Sequence, residues 1–173
     1  MDGSIEAGRH SGTRQDEIDL SKVTSRPANI NDLRRKPYQS RIIVAGSRNF
    51  TDIVTFRRVL SQYLVAEHKD KYIAFISGKA KRGPDRFIID WCALTPFVCY
   101  EFEAQWDALG KRAGFVRNEE MSLEASHLLA FWDGESRGTE NMIKLAKERS
   151  LVVHSFNTKT TNVDFNGLNL ATF

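Results

Sequence analysis

Between Arg41 and Phe156, short, nearly continuous apolar runs alternate with segments whose apolar residues recur at helical spacing, and no other feature constrains the fold as strongly. The runs are Ile42 to Ala45, Tyr72 to Ile76, Phe97 to Phe102, Leu128 to Trp132 and Leu151 to Phe156. Runs of this kind suit strands covered on both faces. Between them, Asp52 to Ala66 sets Phe56, Val59, Leu60, Tyr63 and Leu64 on one helical stripe. Pro84 fits the first turn of a second helix carrying Phe87, Ile88, Trp91 and Cys92, and further helices are expected over roughly Gly114 to Ala125 and Thr139 to Arg149. The alternation predicts an α/β fold, a doubly wound parallel sheet of about five strands with flanking helices.

A chain of 173 residues is enough for one domain with a substantial core and too short for two ordinary ones. With 41% hydrophobic and 27% charged residues it has the composition of a soluble globular protein. No apolar run approaches ~20 residues and the first residues form no apolar leader, so a cytoplasmic protein without membrane contact is expected. A formal charge of +3 permits an anionic ligand without marking a nucleic-acid surface. Cys92 and Cys99 lack the spacing of a metal or redox motif and read as buried, inert thiols. His10, His68, His127 and His154 are scattered along the sequence and suggest neither a metal site nor a catalytic dyad.

Residues 1-40 are polar and aperiodic, with seven Lys or Arg against six acids, and read as a flexible arm. Residues 41-156 form the domain, and residues 157-173 a polar tail with Phe165, Leu168, Leu170 and Phe173 as scattered anchors.

Three strand-to-helix loops carry the polar residues of interest. A strand that runs through a short loop into a helix leaves N–H groups unpaired and aims them, with the positive end of the helix dipole, at one point that suits a phosphate. In a parallel sheet all three loops fall on the edge where the strands end. In the first, IIVAGSRNF, Gly46 permits a sharp turn and close approach of a ligand, while Ser47 and Arg48 offer a hydroxyl and a cationic fork. Taken alone, Gly46 can equally do no more than end a strand. The second, Ser77 to Asp85, sets Lys79, Lys81 and Arg82 between Gly78 and Gly83, and matches neither a Walker A motif nor GxGxxG. Its Asp85 can complement the helix start, accept from a ribose hydroxyl or orient Arg82. In the third, Phe131 to Met142, Gly134, Ser136, Gly138 and Thr139 suit a phosphate cradle, with Asp133 placed to reach a ribose or a base edge. A plain turn with Thr139 as helix cap is the simpler alternative. Gln105 to Met121 reads as a long, functional connection in which Trp106 can stack on a base and Lys111, Arg112 and Arg117 can close over phosphates.

Together GSRNF (Gly46 to Phe50), SGKAKRGPDRF (Ser77 to Phe87), WDALGKRAGFVRNEEM (Trp106 to Met121) and AFWDGESRGTENMI (Ala130 to Ile143) closely resemble the SLOG superfamily, named for the SMF/DprA and LOG proteins. Within it they resemble the small YspA-like branch often found in bacteria and phages. The resemblance spans Arg41 to Phe156 and implies a Rossmann-like sheet that binds nucleotides or nucleotide-derived ligands at the strand ends. LOG enzymes hydrolyse the N-glycosidic bond of nucleoside monophosphates with an arginine and a glutamate. Arg117, followed by Asn118, stands at the arginine position and is the candidate catalytic residue, but Met142 stands where the glutamate belongs. Methionine cannot carry a proton, so that mechanism does not transfer intact.

The expected ligand contacts are Gly46, Ser47, Arg48, Ser77, Gly78, Lys79, Arg82, Gly83, Asp85, Trp106, Lys111, Arg117, Asn118, Asp133, Gly134, Ser136, Gly138 and Thr139. The first expectation is a binding module for a nucleotide or nucleotide derivative, acting as a sensor or sequestering protein, with no cofactor, no metal, and a homodimer suggested by the resemblance. The alternative is a hydrolase of N-glycosidic or phosphate bonds, with Asp133, Glu119 or Glu120 as substitute acid or base. Single-strand DNA binding in the manner of DprA ranks third, since the charge is close to neutral.

Overall fold

The computed structural model describes residues 28–160 and the backbone of Val163 and Asp164. A six-stranded sheet runs through it in the order β3-β2-β1-β4-β5-β6. Its strands are β1 (Ser40–Gly46), β2 (Ile73–Ser77), β3 (Cys99–Glu101), β4 (His127–Trp132), β5 (Val152–Asn157) and β6 (Val163–Asp164). The first five are parallel, as a Rossmann-like doubly wound sheet requires, and β6 pairs antiparallel with β5 through Phe156 and Val163. Helices α1 (Ile30–Arg35), α2 (Ile53–Glu67), α3 (Pro84–Ala93), α4 (Trp106–Leu109), α5 (Ala113–Glu124) and α6 (Arg137–Glu148) cover the sheet.

Side chains that alternate along each strand serve the two faces in turn. Ile42, Val44, Phe75, Leu129 and Phe131 join Phe56, Val59, Leu60 and Tyr63 of α2 and Ile88 of α3 in one core. Ile43, Ala45, Ile76, Leu128 and Ala130 join Met121 of α5, Met142 and Ala146 of α6 and Leu33 of α1 in the other. Both faces are therefore sealed, which explains why the strands read as continuous apolar runs rather than as an alternation.

Within residues 1-40, read from the sequence as a flexible arm, the described part from residue 28 onward carries the first helix. Asn29 caps α1 by accepting the Asn31 N–H (3.0 Å), Leu33 is fully buried, and Arg34 is ion-paired with Glu124 at the end of α5. Ser40 is already the first residue of β1, so the domain reaches back at least to residue 28. Residues 1–27 lie outside the described residues, as do the tail anchors Phe165, Leu168, Leu170 and Phe173. Among the described residues no helix is long and apolar enough to cross a membrane.

Candidate functional site

Strand order reverses between β1 and β4, so the chain leaves these neighbours toward opposite faces and opens a crevice at their carboxyl ends. Gly46 at the end of β1 pairs with Phe131 of β4, and a cleft of about 540 Å³ opens just beyond. Its floor and walls come from the loops after β1, β2 and β4 and from α4 to α6.

Close packing fixes the first loop. A Cβ at Gly46 would stand 2.5 Å from the Pro84 ring and 2.6 Å from the Phe131 carbonyl oxygen, so only glycine lets α3 and β4 approach the strand end this closely. The Ser47 N–H donates to Phe131 O (3.0 Å), and the Phe50 N–H closes a turn onto Ser47 O (3.0 Å). Gly83, at φ +79°, presses on the same turn, where an added Cβ would come within 2.6 Å of Ser47 O. Gly46, Ser47 and Arg48 line the cleft; Gly83 supports it from behind.

The second loop behaves differently from its sequence reading. Lys79 turns away to Glu103 (3.2 Å) and Glu101 (3.7 Å) at the end of β3, and neither it nor Ser77 nor Gly78 lines the cleft. Ser77 is buried and its hydroxyl donates to the Asp85 carbonyl (2.7 Å). Gly78 offers its carbonyl to Arg117 Nη1, and a Cβ there would collide with the guanidinium at 2.5 Å. Arg82 and Asp85 both line the cleft, but the Asp85 carboxylate is engaged by the protein's own amides. Asp85 is buried at the start of α3, and its carboxylate accepts the N–H groups of Gly46 and Gly78, tying two loops together beside Arg117. Burial pushes this carboxyl above its ordinary value, while Arg117 and the backbone donors pull the other way.

Gln105 to Met121 is not a long loop. It folds as α4, a 3-10 turn at Gly110–Arg112, and most of α5. The helical frame places Trp106 (49% exposed) and Phe115 (47% exposed) on the cleft wall with Lys111, and Gly114 lets the Trp106 ring lie over the first turn of α5 at 3.4 Å from where a Cβ would be. Deeper in, Arg117 is held by Gly78 O and by Asn118 Oδ1 (3.1 Å), and its Nε is buried without a hydrogen-bond partner. Asn118 Nδ2 reaches Gly138 O (3.1 Å) and Asn141 Oδ1 (3.0 Å), which joins α5 to the start of α6. Burial lowers the proton affinity of Arg117, Asp85 offsets this, and Arg48 lowers it further by repulsion. Two guanidinium groups thus converge on one cleft.

In the third loop, the amides of Glu135 (3.0 Å) and Ser136 (2.8 Å) donate to Asp133 Oδ1, so the protein itself occupies two of the donors that a phosphate cradle would have used. Burial alone would raise the Asp133 carboxyl, but the Ser47 hydroxyl and these amides hold it below its ordinary value. Gly134, at φ +79°, only turns the chain and does not line the cleft. Ser136, not Thr139, is the cap residue of α6, and no side chain caps the helix; the Thr139 hydroxyl bonds to Ser136 Oγ (3.0 Å) instead. The first intrahelical bond runs from Glu140 N–H to Ser136 O (2.9 Å), so the N–H groups of Arg137, Gly138 and Thr139 precede the ladder. Asp133, Ser136, Gly138 and Thr139 all line the cleft.

Ala45, Asn49, Ala80, Gly114, Phe115, Glu135 and Met142 also line the cleft, beyond the expected contacts. Phe115 carried a signal, since it lies nine positions after Trp106 in the same segment, but only the helical frame turns both rings toward one space. Glu119 and Glu120, considered as substitute acids, are outside the cleft, and Glu119 faces Arg149 at 3.4 Å. Among the described residues no group of three or more His, Cys, Asp or Glu is arranged to hold a metal ion. The histidines, scattered in sequence, are not scattered in space: His68, His127 and His154 lie together on the far side of the sheet from the cleft.

The chain is 29% identical over 128 residues to the Gene 61 protein of Mycobacterium phage D29, an alignment that covers 69% of this chain and 98% of that protein. No family model matches the chain, and no solved structure matches it.

Proposed function

We propose that the chain binds a nucleotide or nucleotide-derived ligand in the cleft beyond β1 and β4, as a sensor or sequestering module of SLOG type. The observation that carries the reading is the convergence of Arg48 and Arg117 beside the uncapped start of α6. A partly buried guanidinium repelled by a second, exposed one, next to the positive end of a helix dipole, is relieved by an anion. The phosphate belongs against Arg117, Arg48 and the Gly138 and Thr139 amides. Trp106 and Phe115 give the base a stacking wall, worth about 1–3 kcal/mol per base. Asp133, held ionised by its donors, is placed to accept from a ribose hydroxyl.

Binding requires only this cradle, whereas hydrolysis also requires a proton carrier. Met142 lines the cleft where a LOG enzyme has its glutamate, and Asp133 and Asp85 are committed to backbone donors. The reading of a binder is therefore favoured over that of a hydrolase. Isothermal calorimetry of the folded chain against nucleoside monophosphates, NAD, ADP-ribose and cyclic nucleotides tests it, with chromatography of the same mixtures for products. At least one phosphate-bearing nucleotide is expected to bind and to be recovered intact. Silence across the panel removes the proposal, and turnover replaces it with the enzymatic alternative.

A further inference from the structure

At the amino-terminal edge of the sheet three imidazoles pack together. His68 ends α2, His127 begins β4 and His154 lies within β5. The rings of His68 and His127 meet edge to face at 4.8 Å, and the Tyr63 ring stands 4.8 Å from His68 and 5.2 Å from His154. His68 is only 4% exposed, and neither of its ring nitrogens has a hydrogen-bond partner. A neutral imidazole brings one donor and one acceptor, and leaving both unmet inside a protein is unfavourable. A leucine would fill the same space without that penalty, so packing alone does not account for a histidine here.

We propose that His68, His127 and His154 form an acid-triggered clasp: neutral, they pin the end of α2 onto β4 and β5; protonated, they repel one another and let that end go. The charged and titratable groups around the cluster are Tyr63 and Glu67 from α2, Lys71 from the turn that follows, His127 from β4 and His154 from β5. Glu67 is the single acid among them and already stands 4.0 Å from His154 Nε2. A proton arriving at His68 therefore meets two further imidazoles and a lysine. Burial first, and then these cations, pull His68 down to about 4, and the same causes lower His127.

In the unfolded chain a histidine takes up its proton near pH ~6.5. The folded state refuses it, so the contribution to stability is complete above that value and is lost as the pH falls toward about 4. Thermal unfolding of the full chain is measured from about pH 7 to about pH 4.5, beside His68→Leu. The wild-type midpoint is expected to fall by about 5–10 °C more than that of the variant over this range. Parallel curves overturn the proposal. If His68→Leu does not fold, the imidazole proton resonances of the wild type are followed instead. Those of His68 are expected to stay at their neutral positions until well below the ordinary histidine range, with amides of the last turn of α2 exchanging faster as they move. Titration of a folded His68 near pH ~6.5 overturns it equally.

Discussion

At Arg117 the protein has used two guanidinium contacts on itself, Gly78 O and Asn118 Oδ1, and left the buried Nε of this half-buried cation unpaired. Arg117→Ala is expected to weaken nucleotide binding by about 2 kcal/mol, about 30-fold, in calorimetry. Lysine does not restore it, because its point charge cannot reproduce a fork fixed at two sites. Asp85, beneath it, gives a prediction of opposite character. Its folded carboxyl is raised by burial, so its ionisation opposes folding and stability is lost as the pH rises through its folded-state value. Comparing unfolding midpoints at acid and neutral pH, Asp85→Asn is expected to gain on the wild type as the pH rises. A constant difference between the two proteins contradicts the assignment. The sequence showed which of these residue types cluster, and the first and third loops kept most of their expected contacts at the cleft. It did not show direction: Lys79 and Arg82 are three positions apart in one basic run, yet a positive φ at Lys79 accompanies its turn toward Glu101 and Glu103 while Arg82 faces the cleft.

Elements with long periodic patterns were legible, and short ones were not. The stripe from Phe56 to Leu64 belongs to a helix expected over Asp52 to Ala66 and found one residue later at both ends, and the proline marked the first residue of α3. By contrast α1 has six residues and one fully buried side chain, too few for periodicity to stand out from its polar surroundings. Its packing is nonetheless specific, and Leu33→Ala is expected to cost about 2–5 kcal/mol, read from the urea midpoint. Of the span from Gln105 to Met121, read as a long connection, the expected helix from about Gly114 is present as α5, while the short α4 and the 3-10 turn before it were not foreseen. Gly110 at φ +53° does end α4, but Gly114 sits inside α5, where it admits the Trp106 ring. The glycine that bears on the cleft from outside is Gly83: with φ +79° and Ser47 O 2.6 Å from any added Cβ, Gly83→Ala is expected to cost about 1–3 kcal/mol and to weaken nucleotide binding in the same preparation. Unchanged affinity in a folded Gly83→Ala protein contradicts a supporting role for that turn.

For the whole molecule, the strand order puts the cleft on the axis where both cores meet, since Phe131 belongs to one and Ala45 to the other. A ligand held there contacts elements from both faces of the sheet. At about 100 times its dissociation constant it is expected to raise stability by about 2.7 kcal/mol, a midpoint shift of about 5–10 °C in thermal unfolding. The Asp133 carboxylate has a further consequence on this scale. By holding the Glu135 and Ser136 amides it fixes the shape of this loop with the protein's own groups. A ligand of the proposed kind is therefore expected to meet a rigid socket: stopped-flow association governed by diffusion and electrostatic attraction rather than by a slow rearrangement, with good and poor ligands differing in bound lifetime.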